Sequence, residues 1–361
     1  MTTVDSVAVR AYVLPTEQPE SDGTLEWDST TVVVVEAQGG GQTGIGYTYG
    51  DASIAWYVES KLAGEVTGHP ALDVQGAWAG MQRAARNDGP FGLARYALSA
   101  VDVALWDLKA RLLGVPLASL LGRFHRGIPA YASGGFTSLS EAQLQEQLSG
   151  WADDGFLRVK MKVGRRPERD PQRVAAARDA VGGLVELFVD ANGAYSRKQA
   201  LALAETFAEH RVTWLEEPVS SDDLEGLRLI RDRAPAGMQV AAGEYATDEV
   251  YARRMIEAGA VDVMQADVTR CGGITGLLRI DALCKAWGVP FSAHCAPAIS
   301  AHACCAMETA VHVEYFADHA RVEQRLFQGA AVPRGGMLVP DESRSGLGLE
   351  MRRTDAERYA A

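Results

Sequence analysis

The stretch FLRVKMKVG, residues 156–164, decides the fold. It reads as a buried strand, with Val159, Met161 and Val163 apolar, yet Lys160 and Lys162 occupy the intervening positions. Side chains alternate across a strand, so the two lysines share one face and the apolar set the other. An ammonium group is expensive to bury without a partner. Strands of similar texture follow, several with an acid at the C-terminal end: LVELFVDANG with Asp190, VTWLEEP with Glu216 and MQVAAGE with Glu244. They are joined by VDVMQADVTRCGG, VPFSAHCAP and HVEYF, and preceded by IPAYASGG. Charged, alanine-rich stretches of helical pattern separate them, and strand alternating with helix implies parallel βα units. From Ser133 through Lys162, Asp190, Glu216, Glu244, Asp267 and His294 to Glu314, the step stays between 20 and 29 residues. One strand and one helix per step predicts an α/β fold of the modified TIM barrel type, (β/α)7β.

Outward from the barrel the texture differs. Residues 1 to about 50 alternate as strands, VAVRAYVL and then TTVVVVEAQGGGQTGIGYTYG, with Gly39 to Gly41 as a hairpin turn. Between them PTEQPESDGTLEWDS reads as a flexible functional loop. Residues 54 to 122 turn helical, notably ARYALSAVDVALWDLKARLLG. The expected division is an α+β capping domain over 1–125, the barrel over 126–330, and a segment 331–361 that returns to the cap. The formal charge of −12, from 35 basic and 47 acidic residues, argues against a nucleic-acid or anionic-membrane partner. No apolar run reaches membrane-span length, and the N-terminus has no apolar core of a secretory signal. Five cysteines without CxxC spacing read as free thiols, and a cytoplasmic location is expected.

The chemistry is expected at the C-terminal strand ends, where βα barrels build their sites. Asp190, Glu216 and Glu244 end three successive strands, and their carboxylates would repel unless a cation joined them. An all-oxygen set suits Mg²⁺. Each acid alone could merely cap a helix; three in succession point to a metal. Glu217 should face away from Glu216 by alternation. Lys160 and Lys162 face the acids, and a lysine beside a metal and a second ammonium should have a lowered pKa and act as a base. Asp267 and His294, at the ends of neighbouring strands, can form a hydrogen-bonded pair that orients the imidazole. Glu314 is either a protonated donor or an ion-pair partner. His302 and His312 read as structural. A metal, a lysine and a His–Asp pair together describe abstraction of the proton α to a carboxylate.

Taken in order and spacing, VKMKVG, VDANG, WLEEP, AGE, ADVTRCGG and SAHCAP resemble the enolase superfamily and, within it, the mandelate racemase subgroup. The resemblance spans essentially the whole chain. It implies Asp190, Glu216 and Glu244 as Mg²⁺ ligands, and Lys162 and His294, oriented by Asp267, as acid/base groups. Lys160, Ser133 and Glu314 would contact the substrate carboxylate and enediolate. Asn192, Trp27 and Tyr47 are further candidates for substrate contact. The aspartate at 267 disfavours the muconate cycloisomerase and dipeptide epimerase branches, which carry lysine there. The resemblance implies an acid-sugar dehydratase, with a racemase or epimerase of a 2-hydroxy acid as the alternative and a catalytically silent barrel as a third reading. It also implies a homo-oligomer. Between Arg10 and Lys61 there is no Lys, Arg or His, so a distal substrate carboxylate would depend on Arg165, Arg166 or Arg270; a monoacid sugar is favoured.

Overall fold

The computed structural model describes residues 2–89 and 91–361. Eight parallel strands close into a barrel: β4 (Ile128–Gly134), β5 (Arg158–Lys162), β6 (Glu186–Asp190), β7 (Val212–Glu216), β8 (Gln239–Ala242), β9 (Val263–Asp267), β10 (Phe291–His294) and β11 (Ala310–Phe316). Each neighbours the next in sequence, and β11 pairs with β4 to close the ring. A helix follows every strand, including Ala317–Leu326 after the last. The first helix, Glu141–Asp153, and a later one, Arg197–Glu209, open on Ser140 and Ser196 capping boxes.

Inward-facing residues form two layers. The lower one is a plug of Tyr131, Phe188, Trp214, Ala241 and Val263, with Phe188 and Trp214 stacked at 5.1 Å. His312 stands among these rings, 5.0 Å from Tyr131 and 5.2 Å from Trp214. One pleat higher, two residues on, stand the polar residues: Phe188 gives way to Asp190, Trp214 to Glu216 and His312 to Glu314. Val159, Met161 and Val163 are fully buried against the surrounding helices, as alternation requires.

The cap is an antiparallel sheet of β1 (Ser6–Ser21), β2 (Glu26–Gly39) and β3 (Gln42–Tyr49). Gly40 and Gly41, at φ +56° and +75°, make the β2–β3 turn that L side chains resist. The helix Leu93–Leu112 lies so close to β3 that a Cβ on Gly44 or Gly46 would stand 2.2 or 2.1 Å from a helix carbonyl oxygen. The C-terminal segment reaches the cap through Arg353–Glu36 and Arg10–Glu357 pairs and an Ala361 N–H donated to the Ala11 carbonyl. On the way, Met337–Leu338 pairs with the foot of β4. Among the described residues no helix is long and apolar enough to cross a membrane.

One expectation is corrected. The polar PTEQPESDGTLEWDS is not a loop: β1 runs to Ser21 and β2 starts at Glu26, with Glu20 opposite Trp27 and Ser21 opposite Glu26. The register shifts between Pro15 and Glu20, where the prolines interrupt pairing. Polar composition misled because this ribbon leaves the cap and lies over the barrel mouth, so its polar residues face water or the site.

Candidate active site

A cavity of about 460 Å³ opens at the C-terminal end of the barrel strands, under the β1–β2 hairpin. Lys162, Asn192, Glu244, Arg270, His294 and Glu314 line it from the barrel, and Asp22, Leu25 and Trp27 from the hairpin. The register explains the meeting: Lys162 is level with Asp190 on β6, which is level with Glu216 on β7. Asp267 is likewise level with His294.

Asp190, Glu216 and Glu244 each present a carboxylate oxygen within 4.8 Å of the others, all buried. Lys160, fully buried, contacts Glu216 and reaches Glu314 at 2.8 Å and Asp190 at 3.4 Å. Lys162 Nζ donates to Asp190 at 2.6 Å. The carboxylates by themselves act on the lysines in the opposite sense to the lowering expected beside a metal. Burial opposes both ammonium groups, but Glu216 and Glu314 outweigh it at Lys160, and Asp190 outweighs it at Lys162, so both are raised. Asp190 falls to about 2 because Lys162 and Lys160 overcome its burial. Glu216 is pushed up to about 8 by burial, with Asp190 and Glu314 adding to it. Buried, oxygen-only and mutually repelling, Asp190, Glu216 and Glu244 fit a hard divalent cation.

Opposite, across three strand steps of the ring, His294 Nδ1 and Asp267 Oδ2 are 2.8 Å apart. Asp267 Oδ1 accepts the Thr269 N–H and hydroxyl, both at 2.7 Å. Burial is outweighed by His294 and Arg270, which hold Asp267 down at about 2. His294 is raised: burial lowers it, but Glu244, Glu314 and Asp267 prevail. Its Nε2 faces Glu244 at 3.5 Å, Glu314 at 3.6 Å and Cys295 Sγ at 3.3 Å. Glu314, open in the sequence reading between protonated donor and ion-pair partner, is the latter here. Lys160 and His294 overcome its burial and hold it well below the carboxylate range.

The remaining candidates divide. Trp27 lines the cavity, donates Nε1 to Glu20 at 3.0 Å and packs edge-on to Phe136. Asn192 lines it too, with Nδ2 3.5 Å from Glu244 and a buried, unpartnered Oδ1. Ser133 is level with Lys160, a pleat below the mouth, and its buried Oγ has no partner. Tyr47 is corrected: fully buried, it donates its hydroxyl to Glu323 at 2.5 Å, away from the cavity. Tyr49, two residues on, lines the cavity and stacks on His319 at 3.4 Å. Glu217 does not turn away as alternation predicts. It lies past the end of β7 at φ +36°, where the pleat has lapsed, and burial followed by Glu244 and Asp190 raises its pKa well above the carboxylate range. His302 and His312 are buried and pushed down, by burial first, to about 4 and about 3.

Arg270 and Cys295 were the residues that sequence reasoning left underused. Arg270 sits between Tyr96 and Tyr245, 5.7 and 5.6 Å from their centroids, and touches Glu244 at 3.4 Å and Asp267 at 3.6 Å. Cys295 follows His294 directly, a signal available in SAHCAP. Four of the five non-glycine residues with positive φ among the described residues, Asn192, Glu217, Cys295 and Ala296, immediately follow or lie just beyond barrel strands at this mouth. Backbone strain concentrated there marks a working site.

Known proteins share this fold. Residues 6–122 match the family model of the mandelate racemase / muconate lactonizing enzyme N-terminal domain, and residues 143–356 the enolase C-terminal domain-like model. The chain is 32% identical over 94% of its length to a 3,6-anhydro-alpha-L-galactonate cycloisomerase of Streptomyces coelicolor, covering 94% of that protein. A mandelate racemase/muconate lactonizing enzyme-like protein from Rubrobacter xylanophilus superposes with TM-score 0.98 at 60% identity, over 99% of this chain and 100% of that one. The L-talarate/galactarate dehydratase of Salmonella typhimurium LT2, in a structure liganded with Mg and L-lyxarohydroxamate, gives TM-score 0.92 at 26% identity, over 100% of this chain and 93% of that one. The chain belongs to the mandelate racemase/muconate lactonizing enzyme family of the enolase superfamily.

Proposed function

We propose that the protein removes the proton α to the carboxylate of an acid sugar and expels the oxygen on the β-carbon, yielding a 2-keto-3-deoxy sugar acid. The observation that carries this reading is one cavity lined by Lys162 and, three strands away, by His294 of the Asp267 pair, beside a buried carboxylate triad. Held by Asp190, Glu216 and Glu244, Mg²⁺ would supply Lewis acidity towards the substrate carboxylate. Lys162 is the base. Asp190 fixes its ammonium, and a metal held by Asp190 would weaken that hold and lower the lysine towards its neutral form. Lys160, buried and protonated, faces the negative charge that develops as the proton leaves. His294, raised by the surrounding carboxylates, is the acid that protonates the departing oxygen. The C2–H and C3–O bonds break, an enol forms across C2 and C3, and it tautomerises to the ketone.

A monoacid fits better than a diacid. Among the described residues the one guanidinium lining the cavity, Arg270, is already engaged by Asp267 and Glu244. The cycloisomerase relative suggests a second reading in which the departing C3 oxygen is a ring ether rather than hydroxide. Incubation with Mg²⁺ and a library of aldonates, aldarates and anhydro-aldonates, with semicarbazide detection of 2-keto acid, tests both. Keto acid from an open-chain aldonate supports dehydration; keto acid from anhydro acids alone supports ring opening. Inversion with solvent-deuterium uptake at C2 and no keto acid would instead make the protein a racemase.

A further inference from the structure

A second cavity, of about 700 Å³, lies on the other face of the β1–β2 hairpin. The hairpin separates the two. Leu25 and Trp27 line the catalytic side and Glu26, between them, the second. In a chain of net charge −12, this cavity collects four arginines, Arg165, Arg166, Arg169 and Arg173, together with the hydroxyl residues Thr137, Ser138 and Ser140. Three acids also line it, Glu26, Glu141 and Asp170. Asp170 is occupied by the Gly164 N–H and the Tyr195 hydroxyl. Arg169 meets Glu141 only at 3.8 Å, and Arg166 forms no ion pair among the described residues. Arg173 is 9% exposed; its two terminal nitrogens donate to the Leu139 and Phe136 carbonyls, but its Nε has no partner. Two helices of twelve or more residues, Glu141–Asp153 and Asp170–Val181, begin at the cavity, adding positive potential.

We infer that this cavity is a binding site for a doubly charged oxyanion of the phosphate class, and that its occupancy breaks the Arg165–Glu26 contact with the hairpin. Guanidinium groups match phosphate oxygens in pairs. Arg165 is the link. It bonds Glu26 at 3.2 Å and the Thr24 carbonyl at 3.4 Å, both on the hairpin, and both members of the ion pair are exposed. Exposed ion pairs contribute little, so a dianion beside Arg166 and Arg169 can draw Arg165 away from Glu26 at little cost and remove that contact between barrel and hairpin.

The test is calorimetric titration of the full-length, metal-free protein with inorganic phosphate at fixed ionic strength. One saturable site is expected. Affinity should fall at least tenfold in Arg166→Ala/Arg169→Ala, whose exposed side chains the fold does not need. It should survive in Lys162→Ala and rise severalfold in Glu26→Gln, which frees Arg165. Succinate, a dicarboxylate, should bind more weakly than phosphate. Absence of saturable binding overturns the site, as does binding lost in Lys162→Ala but kept in the double variant, which would put the anion in the catalytic cavity. Unchanged affinity in Glu26→Gln overturns the link to the hairpin.

Discussion

Lys160 and Lys162 stand one pleat apart, yet their surroundings differ. Lys160 is sealed by three acids above the Tyr131 ring, whereas Lys162 meets one acid and opens to the cavity. With Lys162 as base and His294 as acid, Lys162→Ala and His294→Asn should each lower kcat by about 10²- to 10⁴-fold. Calorimetry should find Mg²⁺ binding retained in both; near-normal turnover in either would sink the two-residue scheme. The pH profile gives a sharper check. Asp267 helps hold the His294 pKa up, so Asp267→Asn lets it fall, and the acid form is lost at lower pH. The alkaline limb of kcat should therefore move to lower pH, whereas a purely structural Asp267 would change the amplitude and leave the limb in place. At Tyr47 the opposite is expected. Tyr47→Phe removes a buried hydrogen bond to Glu323 and should cost about 1 kcal/mol in denaturant unfolding with kcat unchanged.

Among the elements, the β1–β2 hairpin deserves the closest reading because it belongs to the cap by sequence and to the site by position. Trp27 is fixed from both sides, by Glu20 within the hairpin and by Phe136 on the loop after β4. Ser21 adds a hydroxyl contact to Thr137 at 2.6 Å. These contacts hold the tip over the barrel mouth, where it would exclude water from a substrate reacting as proposed. Replacing residues 22–25 by a two-residue turn should leave the thermal midpoint within a few degrees while kcat/KM drops by about 10²-fold or more. A variant with unaltered kinetics would remove the hairpin from the mechanism. Its strand character was hidden because prolines and acids are poor signals for pairing, and nothing local in the sequence tells that the ribbon will lie on a barrel.

For the whole molecule, the barrel joins remote acids into one buried triad, so a metal held there would link binding to folding. At a hundredfold excess over Kd, Mg²⁺ should stabilise the protein by about 2.7 kcal/mol, seen as a rise in the thermal midpoint that chelation with EDTA reverses. Asp190→Asn should lose most of that rise; a full rise would exclude Asp190 as a ligand. The sequence by itself determined the eight-strand rhythm, the shared face of Lys160 and Lys162, the three acids and the Asp267–His294 pair. All of these follow from period-two alternation and from polar residues recurring at strand ends, which are local and additive signals. Only the tertiary structure decided what lay beyond that rule. Glu217 escapes alternation because its backbone turns left-handed just past β7. Tyr47 and Tyr49 share a face of β3 by alternation, but which of them meets the cavity depends on how the cap docks. The protonation of the lysines depends on acids from β6, β7 and β11 arriving around them. Alternation assigns a face, and only the closed ring with its docked cap settles what that face meets.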